Sequence, residues 1–218
     1  MATPTEIHPP QLPRKLESGE LFSIENDDII EMQLLSGCDL SRQSAERTLF
    51  EQVLFKRANF NGTRLPRARF IDCRFEACDL TQADLEGARL SRLAFNGCRL
   101  IGVQWIDAQL DDILFEDCSL EGAVFSSAAF RSARFKNCIL RNTFFDQADL
   151  TDVVFEQCDL GGAVLQGANL QGADLRGSKI GGMHLEAQDL RGAIIDPRQA
   201  VQVAELLEIT VKEPGDSL

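Results

Sequence analysis

Of the residues that most often carry chemistry, this chain has few. Its 218 residues include no Tyr, one Trp and two His. His8 falls in a polar, proline-rich start that reads as flexible, and His184 falls at an outward repeat position, so the two do not suggest one site. There is no HExxH, no GxSxG and no GxGxxG leading into a helix. The stretch Gly172–Lys179, GADLRGSK, resembles a phosphate loop only with its Ser and Lys transposed. These absences argue against an enzyme and against any cofactor or metal. No apolar run approaches the ~20 residues that span a bilayer. The first residues lack the basic-then-apolar order of a secretory signal. The expectation is a cytoplasmic protein without a membrane partner. Seven Cys, an odd number with no CxxC pair, fit free thiols better than a disulfide framework or a zinc ribbon.

What is present is a period. From Leu35 to Ile195 every fifth residue is Leu, Phe, Ile or Trp, with Ala45 as the one exception. Two residues before each sits a small or modest side chain, such as Ala58, Cys73, Ala83 or Ala108, and all seven Cys occupy this slot. Five matches neither the 3.6 of a helix nor the 2 of a flat strand. It fits a chain that turns a corner every five residues and points two side chains inward. A second period of 20 lies over the first. Phe55, Phe75, Phe95, Phe115, Phe135 and Phe155 form one ladder, and Cys78, Cys98, Cys118, Cys138 and Cys158 form another. Four five-residue sides per coil follow from that spacing. Trp105 belongs to an inward slot between Leu85 and Phe125, where its indole N–H needs a partner. The Cys ladder reads as small buried hydrophobes, since parallel side chains cannot converge on a tetrahedral metal.

The motif A(D/N)Lxx, as in Ala83-Asp84-Leu85, Ala168-Asn169-Leu170 and Ala173-Asp174-Leu175, resembles that of the pentapeptide-repeat family. The resemblance implies an all-β fold, a right-handed quadrilateral β-helix. About eight coils rising ~4.8 Å each would make a rod of roughly 40 Å. Three parts are expected: residues 1–32 as N-terminal segment and cap, 33–195 as the β-helix, and 196–218 as a C-terminal helix and tail. The weak motif at Gln43 and Ala45 predicts an irregular early coil. Asp196-Pro197 predicts a helix start, with Asp as N-cap and Pro in the first turn. Val203, Leu206 and Leu207 form the apolar side of that helix, and Ile209 and Val211 extend it. By resemblance to the Qnr and MfpA type of pentapeptide-repeat protein, that end would form a homodimer.

Charge is segregated along the chain. The net charge is −12. Residues 41–99 hold 7 acidic and 11 basic groups, whereas residues 100–175 hold 12 acidic and 4 basic. The acids of this second region include Asp107, Asp111, Asp112, Glu116, Asp117, Glu121, Asp146, Asp149, Asp152, Glu156 and Asp159. Two columns at intervals of 40 stand out, Asp72–Asp112–Asp152 and Glu76–Glu116–Glu156. Such a rod can owe its acidity to solubility alone. It can also mimic B-DNA, which carries one negative charge per ~1.7 Å of axis. Resemblance to the Qnr and MfpA type implies the second: binding to a type II topoisomerase, DNA gyrase or topoisomerase IV, and protection from quinolone-like inhibitors. The uninterrupted repeat is closer to the loopless MfpA type. A scaffold or immunity protein for another partner is the alternative. Direct nucleic-acid binding is disfavoured, because basic residues are confined to the early coils.

Overall fold

A computed structural model describes residues 6–211. Most inward residues are buried because the chain bends every five residues, and the bend is a residue of left-handed φ. Arg42, Arg47, Gln52 and Arg57 adopt φ between 50° and 58°, and the same conformation recurs at Arg67, Asp72, Ala77 and Gln82. Side chains are tolerated there because the corner amide is not orphaned. The N–H of Asp72 donates to Ser91 O at 3.0 Å and that of Ala77 to Asn96 O at 2.9 Å, both on the next coil.

Pairing between coils is parallel throughout and, from Ile29↔Leu49 onward, offset by 20. Phe55 lies opposite Phe75, Phe75 opposite Phe95, Phe95 opposite Phe115, and Phe135 opposite both Phe115 and Phe155. Three longer strands, Arg89–Asn96, Gln109–Glu116 and Ala129–Lys136, run across two sides of the coil. Elsewhere the ladder is carried by three- or four-residue strands and by isolated bridges such as Asp84↔Gln104 and Asp159↔Lys179. The result is an all-β parallel solenoid with four sides per turn, closed at its far end by one short helix, Gln199–Leu206.

The core is one continuous column. Successive Phe rings of the main ladder stack with centroids 4.7 Å apart for Phe55–Phe75 and Phe75–Phe95, and 4.9 Å for Phe95–Phe115. Trp105 is fully buried, stacked on Phe125 at 4.9 Å and edge-on to Phe115 at 5.7 Å. Its indole N–H, expected to find a partner, has none among the described residues. The slot two residues before each ring shows why Cys, Thr and Ser recur there. Most donate inward to the carbonyl 23 residues earlier: Cys78 to Phe55 O at 3.5 Å, Thr63 to Leu40 O at 2.7 Å, Ser178 to Phe155 O at 2.9 Å, whereas the buried Thr48 hydroxyl has no partner among the described residues. A small donor at that depth can satisfy itself. Burial pushes the Cys73 thiol up to about 12. Contact with neighbouring thiols of the ladder, reinforced by burial, raises Cys78, Cys118 and Cys158 as well.

Three expectations from the sequence need correction. The early coil at 43–45 is regular: Ala45 is buried in the inward slot and Ser44 bridges Arg64. Gln43 uses its amide to hold the cap, accepting from Ile24 N at 2.9 Å and donating to Phe22 O at 2.9 Å. The second concerns the last coil, where the sequence keeps its phase but the backbone does not. Gly172 N–H donates to Gly192 O, one residue beyond the 19-residue offset that Asp152 makes to Gln171. Residues 186–189 instead close on themselves, Glu186 N–H on Asp189 Oδ2 and Asp189 N–H on Glu186 O, each at 2.9 Å. About seven regular turns remain, rather than eight.

Third, the N-terminal segment is docked. Residues 6–16 run along one corner of the solenoid toward its first coils, and Glu17–Gly19 then pairs with Gln33–Leu35 as an added strand. Pairing at the 20-residue offset begins at Ile29↔Leu49, and Ile24 and Ile30 already belong to the core.

Candidate protein-interaction surface

The acidic residues fall on the sides that the 20-residue period assigns to them. Asp107 and Asp146 share one side; Asp111, Asp112, Asp149 and Asp152 share the next. Glu116, Asp117 and Glu156 occupy the third, and Glu121 and Asp159 the fourth. They therefore encircle the shaft and do not form one flat patch.

Partners divide this set in two. Glu116 takes an ion pair from Lys136 on the next coil at 2.7 Å, which raises the Lys136 pKa. Asp159 is held by Arg141 at 2.8 Å and Lys179 at 3.6 Å; the Arg141 hydrogen bond, with help from the Gly161 amide, keeps its carboxyl below the usual range against the opposing effect of burial. Asp117 accepts from Asn137, Asp146 from Ser126, and Asp149 from Thr151 and Asn169. Asp112 accepts from the N-terminal segment: His8 N at 3.1 Å and His8 Nδ1 at 3.2 Å. Asp107, Asp111, Glu121, Asp152 and Glu156 make no side-chain hydrogen bond or ion pair among the described residues. These five are the acids available to a partner.

The early coils differ because their acids and bases stack on each other. Asp27 pairs with Arg47, Lys56 with Glu76, Arg64 with Asp84 and Asp72 with Arg92, each pair 20 residues apart. Asp72 is buried. Burial alone would raise its pKa, but the two-pronged Arg92 contact at 2.6 and 2.7 Å and the Gln11 amide bring it below the ordinary carboxylate value. Paired charges of this kind leave little net field.

Exposed apolar side chains mark three places, the first at the N-terminal end, where Phe22, Ile29 and Met32 are 78%, 65% and 52% exposed. Ile139 and Phe144 are 46% and 41% exposed within the acidic coils. At the C-terminal end, Ile209 and Val211 are 55% and 54% exposed. The residues expected to dimerise thus separate: Val203 and Leu206 turn toward the core as part of the cap, Leu207 is half-buried, and only Ile209 and Val211 are open. The helix start obeys the expected chemistry. Asp196 Oδ1 accepts from Arg198 N at 2.8 Å and Gln199 N at 3.3 Å, and Gln199 Oε1 accepts from Asp196 N at 2.8 Å, a reciprocal capping box. Sequence reasoning does not single out Gln199. It is buried, and its Nε2 donates to Leu175 O and Ser178 O, both at 2.7 Å, tying the helix to the last regular coil. The D-x-x-Q pattern after the final repeat is the signal that could have found it.

Among the described residues no cluster of three His, Cys, Asp or Glu could hold a metal ion, and no helix is long and apolar enough to cross a membrane. Comparison with known protein families agrees with the architecture. The model for the pentapeptide repeat region matches residues 48–125 and 128–200, and that for eight copies of the pentapeptide repeat matches 108–147. No curated protein matches the sequence. Among solved structures, the plasmid-mediated fluoroquinolone resistance protein QnrB1, in a trypsin-treated variant form, is 24% identical, over 88% of this chain and 97% of that one, with a TM-score of 0.45. HetL, a pentapeptide repeat protein involved in heterocyst differentiation regulation in the cyanobacterium Nostoc sp. strain PCC 7120, is 21% identical over 78% and 85%, with a TM-score of 0.29. A pentapeptide repeat protein of the Arabidopsis thaliana thylakoid lumen is 20% identical over 78% and 74%, with a TM-score of 0.22. With more than half its length matched by the repeat model and its coils built on the five-residue corner, the chain belongs to the pentapeptide-repeat family.

Proposed function

We propose that this protein is a non-enzymatic, cytoplasmic DNA mimic that binds a type II topoisomerase, DNA gyrase or topoisomerase IV, and protects it from quinolone-like inhibitors. The observation that carries the reading is the arrangement of unpaired acids around the shaft. Asp107, Asp111, Glu121, Asp152 and Glu156 lie on all four sides, as phosphates surround a duplex. A cleft that grips DNA from several directions would meet negative charge on each of them. The open Ile209 and Val211 give a second copy an apolar surface to join at the C-terminal end, which would place the acidic coils nearer the centre of a longer rod. No chemistry is required of any residue.

The experiment is a gyrase supercoiling assay with a quinolone present, titrated with this protein. Restored supercoiling is expected. Conversion of the five unpaired acids to amides should abolish it, while Glu116→Gln with Asp159→Asn, which alters paired acids, should have far less effect. Protection unchanged in the five-acid variant would overturn charge mimicry. Failure of the unaltered protein to bind either topoisomerase would overturn the partner. A second reading, a scaffold for another protein, is favoured by Ile139 and Phe144, since a contact made by charge alone has no use for them. Retained topoisomerase binding in Phe144→Ala would set that reading aside.

A further inference from the structure

The column Asp72–Asp112–Asp152 has a use that charge mimicry does not explain and that does not depend on the topoisomerase reading. Two of its members read backbone. Gln11 donates its N–H to Asp72 Oδ1 at 2.9 Å, and His8 donates its N–H to Asp112 Oδ1 at 3.1 Å. The Gln11 carbonyl in turn accepts from Gln52 Nε2 at 3.1 Å, on the coil before. Three residues of the segment thus cross two coils. A polyproline helix rises ~3.1 Å per residue and neighbouring strands lie ~4.8 Å apart, so the two lengths match. Pro9 and Pro10, which favour that extended form, are the residues between the two contacts.

Beneath the segment is an apolar floor. Ile7, Pro9 and Pro10 face Leu93, Ala94 and Leu114 across a groove of about 790 Å³, with Arg74 and Arg134 at its edges. Ala94 sits at an outward position of the repeat, yet is only 6% exposed. The groove is open to solvent alongside the segment. The same track continues beyond residues 6–11. Past Asp112 the same corner continues to Ser132 and Asp152, beside Val154, and Asp152 receives no side-chain hydrogen bond among the described residues.

We propose that this corner is a docking track for an extended, proline-containing segment of a partner protein, of the chemistry the chain's own residues 6–11 display. That chemistry is an apolar residue, then a hydrogen-bond donor, then Pro-Pro, with two backbone N–H groups three residues apart read by Asp72 and Asp112. Residues 6–11 are its resident ligand in cis. A partner displaces them, and the coil spacing enforces the register. Discrimination falls on the extended form, because a helix rising ~1.5 Å per residue would miss the second carboxylate.

The test uses the full chain, isotopically labelled, with amide exchange at His8 and Gln11 followed by NMR. The probe is a synthetic peptide of residues 6–14, unlabelled, added in excess. The two amides should exchange about tenfold or more slowly compared with the free peptide, Asp112→Ala should remove the protection at His8, and the peptide should restore fast exchange with saturation. A peptide carrying Gly in place of Pro9 and Pro10 should compete at least about tenfold less well. Unprotected amides, no competition at millimolar peptide, or equal competition by the Gly-Gly peptide would each overturn the proposal. Protection that rises with protein concentration, together with a dimer on gel filtration lost in Asp112→Ala, would assign the groove to a second copy and overturn it too.

Discussion

The coils up to residue 157 and those after it solve the same geometric problem with different residues. In the first part most left-handed corners carry full side chains, among them Arg67, Asp72, Gln82, Arg92, Asp112 and Gln147. From Gly162 onward the corners at 162, 167, 172, 177, 182 and 192 are all glycine, with φ between 70° and 79°. The cores diverge in parallel. Phe rings stack through the first part to Phe155, whereas Leu160, Leu165, Leu170, Leu175 and Ile180 fill the second. Aromatic stacking and bonded corner amides let the first part accept strained residues. The second relieves the strain with Gly and surrenders more chain entropy on folding. It is also where the ladder slips, at 186–192. In a solenoid each coil is stabilised only by its neighbours, so the glycine-cornered end is expected to open first.

The largest test of that contrast is Phe115→Ala. Phe115 stacks on Phe95 at 4.9 Å and Phe135 at 4.7 Å and meets Trp105 edge-on. Its loss should remove about 3–5 kcal/mol and weaken the coupling between the coils on either side of it within the first part. Urea unfolding followed by Trp105 fluorescence and by circular dichroism should coincide in the unaltered chain and separate in the variant. Coincident curves in the variant would show that the aromatic stack is not what joins those coils. Next in size is Gln199→Ala, which leaves the carbonyls of Leu175 and Ser178 without this donor and opens the capping box. The expected cost is about 1–3 kcal/mol. It should appear as faster amide exchange over residues 175–205, with no change near Phe95. A uniform change along the rod would contradict the nearest-neighbour picture.

The fold was legible because a five-residue period and a 20-residue period cannot both be satisfied by helices or flat strands. The inward slots of Phe75, Cys98 and Leu140 come from counting alone. What counting could not reach was anything set by contacts outside the period. Pro9, Pro10 and Pro13 look like a flexible start because the partners of His8 and Gln11 lie 104 and 61 residues away. Asp112 belongs to the acidic set in sequence but is covered in space, and Asp159 is neutralised by Arg141 and Lys179 from two different coils. The failure of the ladder at 186–191 was hidden for the opposite reason: Leu185, Leu190 and Ile195 keep the phase, while local bonds between Glu186 and Asp189 win over the pairing that phase would allow.

The smallest effect distinguishes stored strain from strain already offset. Gln147 and Gly167 are neighbours in one corner column, with φ of 56° and 70°. The Gln147 N–H donates to Gln166 O at 3.0 Å, whereas among the described residues the Gly167 amide has no such bond to the irregular coil beyond it. The nearest side-chain atom to a Cβ added at Gly167 would be Gln147 Cγ at 3.5 Å, an ordinary contact, so Gly167→Ala tests conformation without a clash. Left-handed backbone disfavours Ala by ~1–2 kcal/mol, and the stiffer unfolded chain returns about 0.4–1 kcal/mol. The net loss should be about 0.5–1 kcal/mol. Gln147→Gly runs the exchange in reverse, and there the gain in backbone freedom acts on both states. It should fall within about 0.5 kcal/mol of the unaltered chain, measured by the same urea titration. Stabilisation by about 1 kcal/mol or more would mean that the first part stores its strain, and that its side-chain corners are kept for the surface they present rather than for the coil they close.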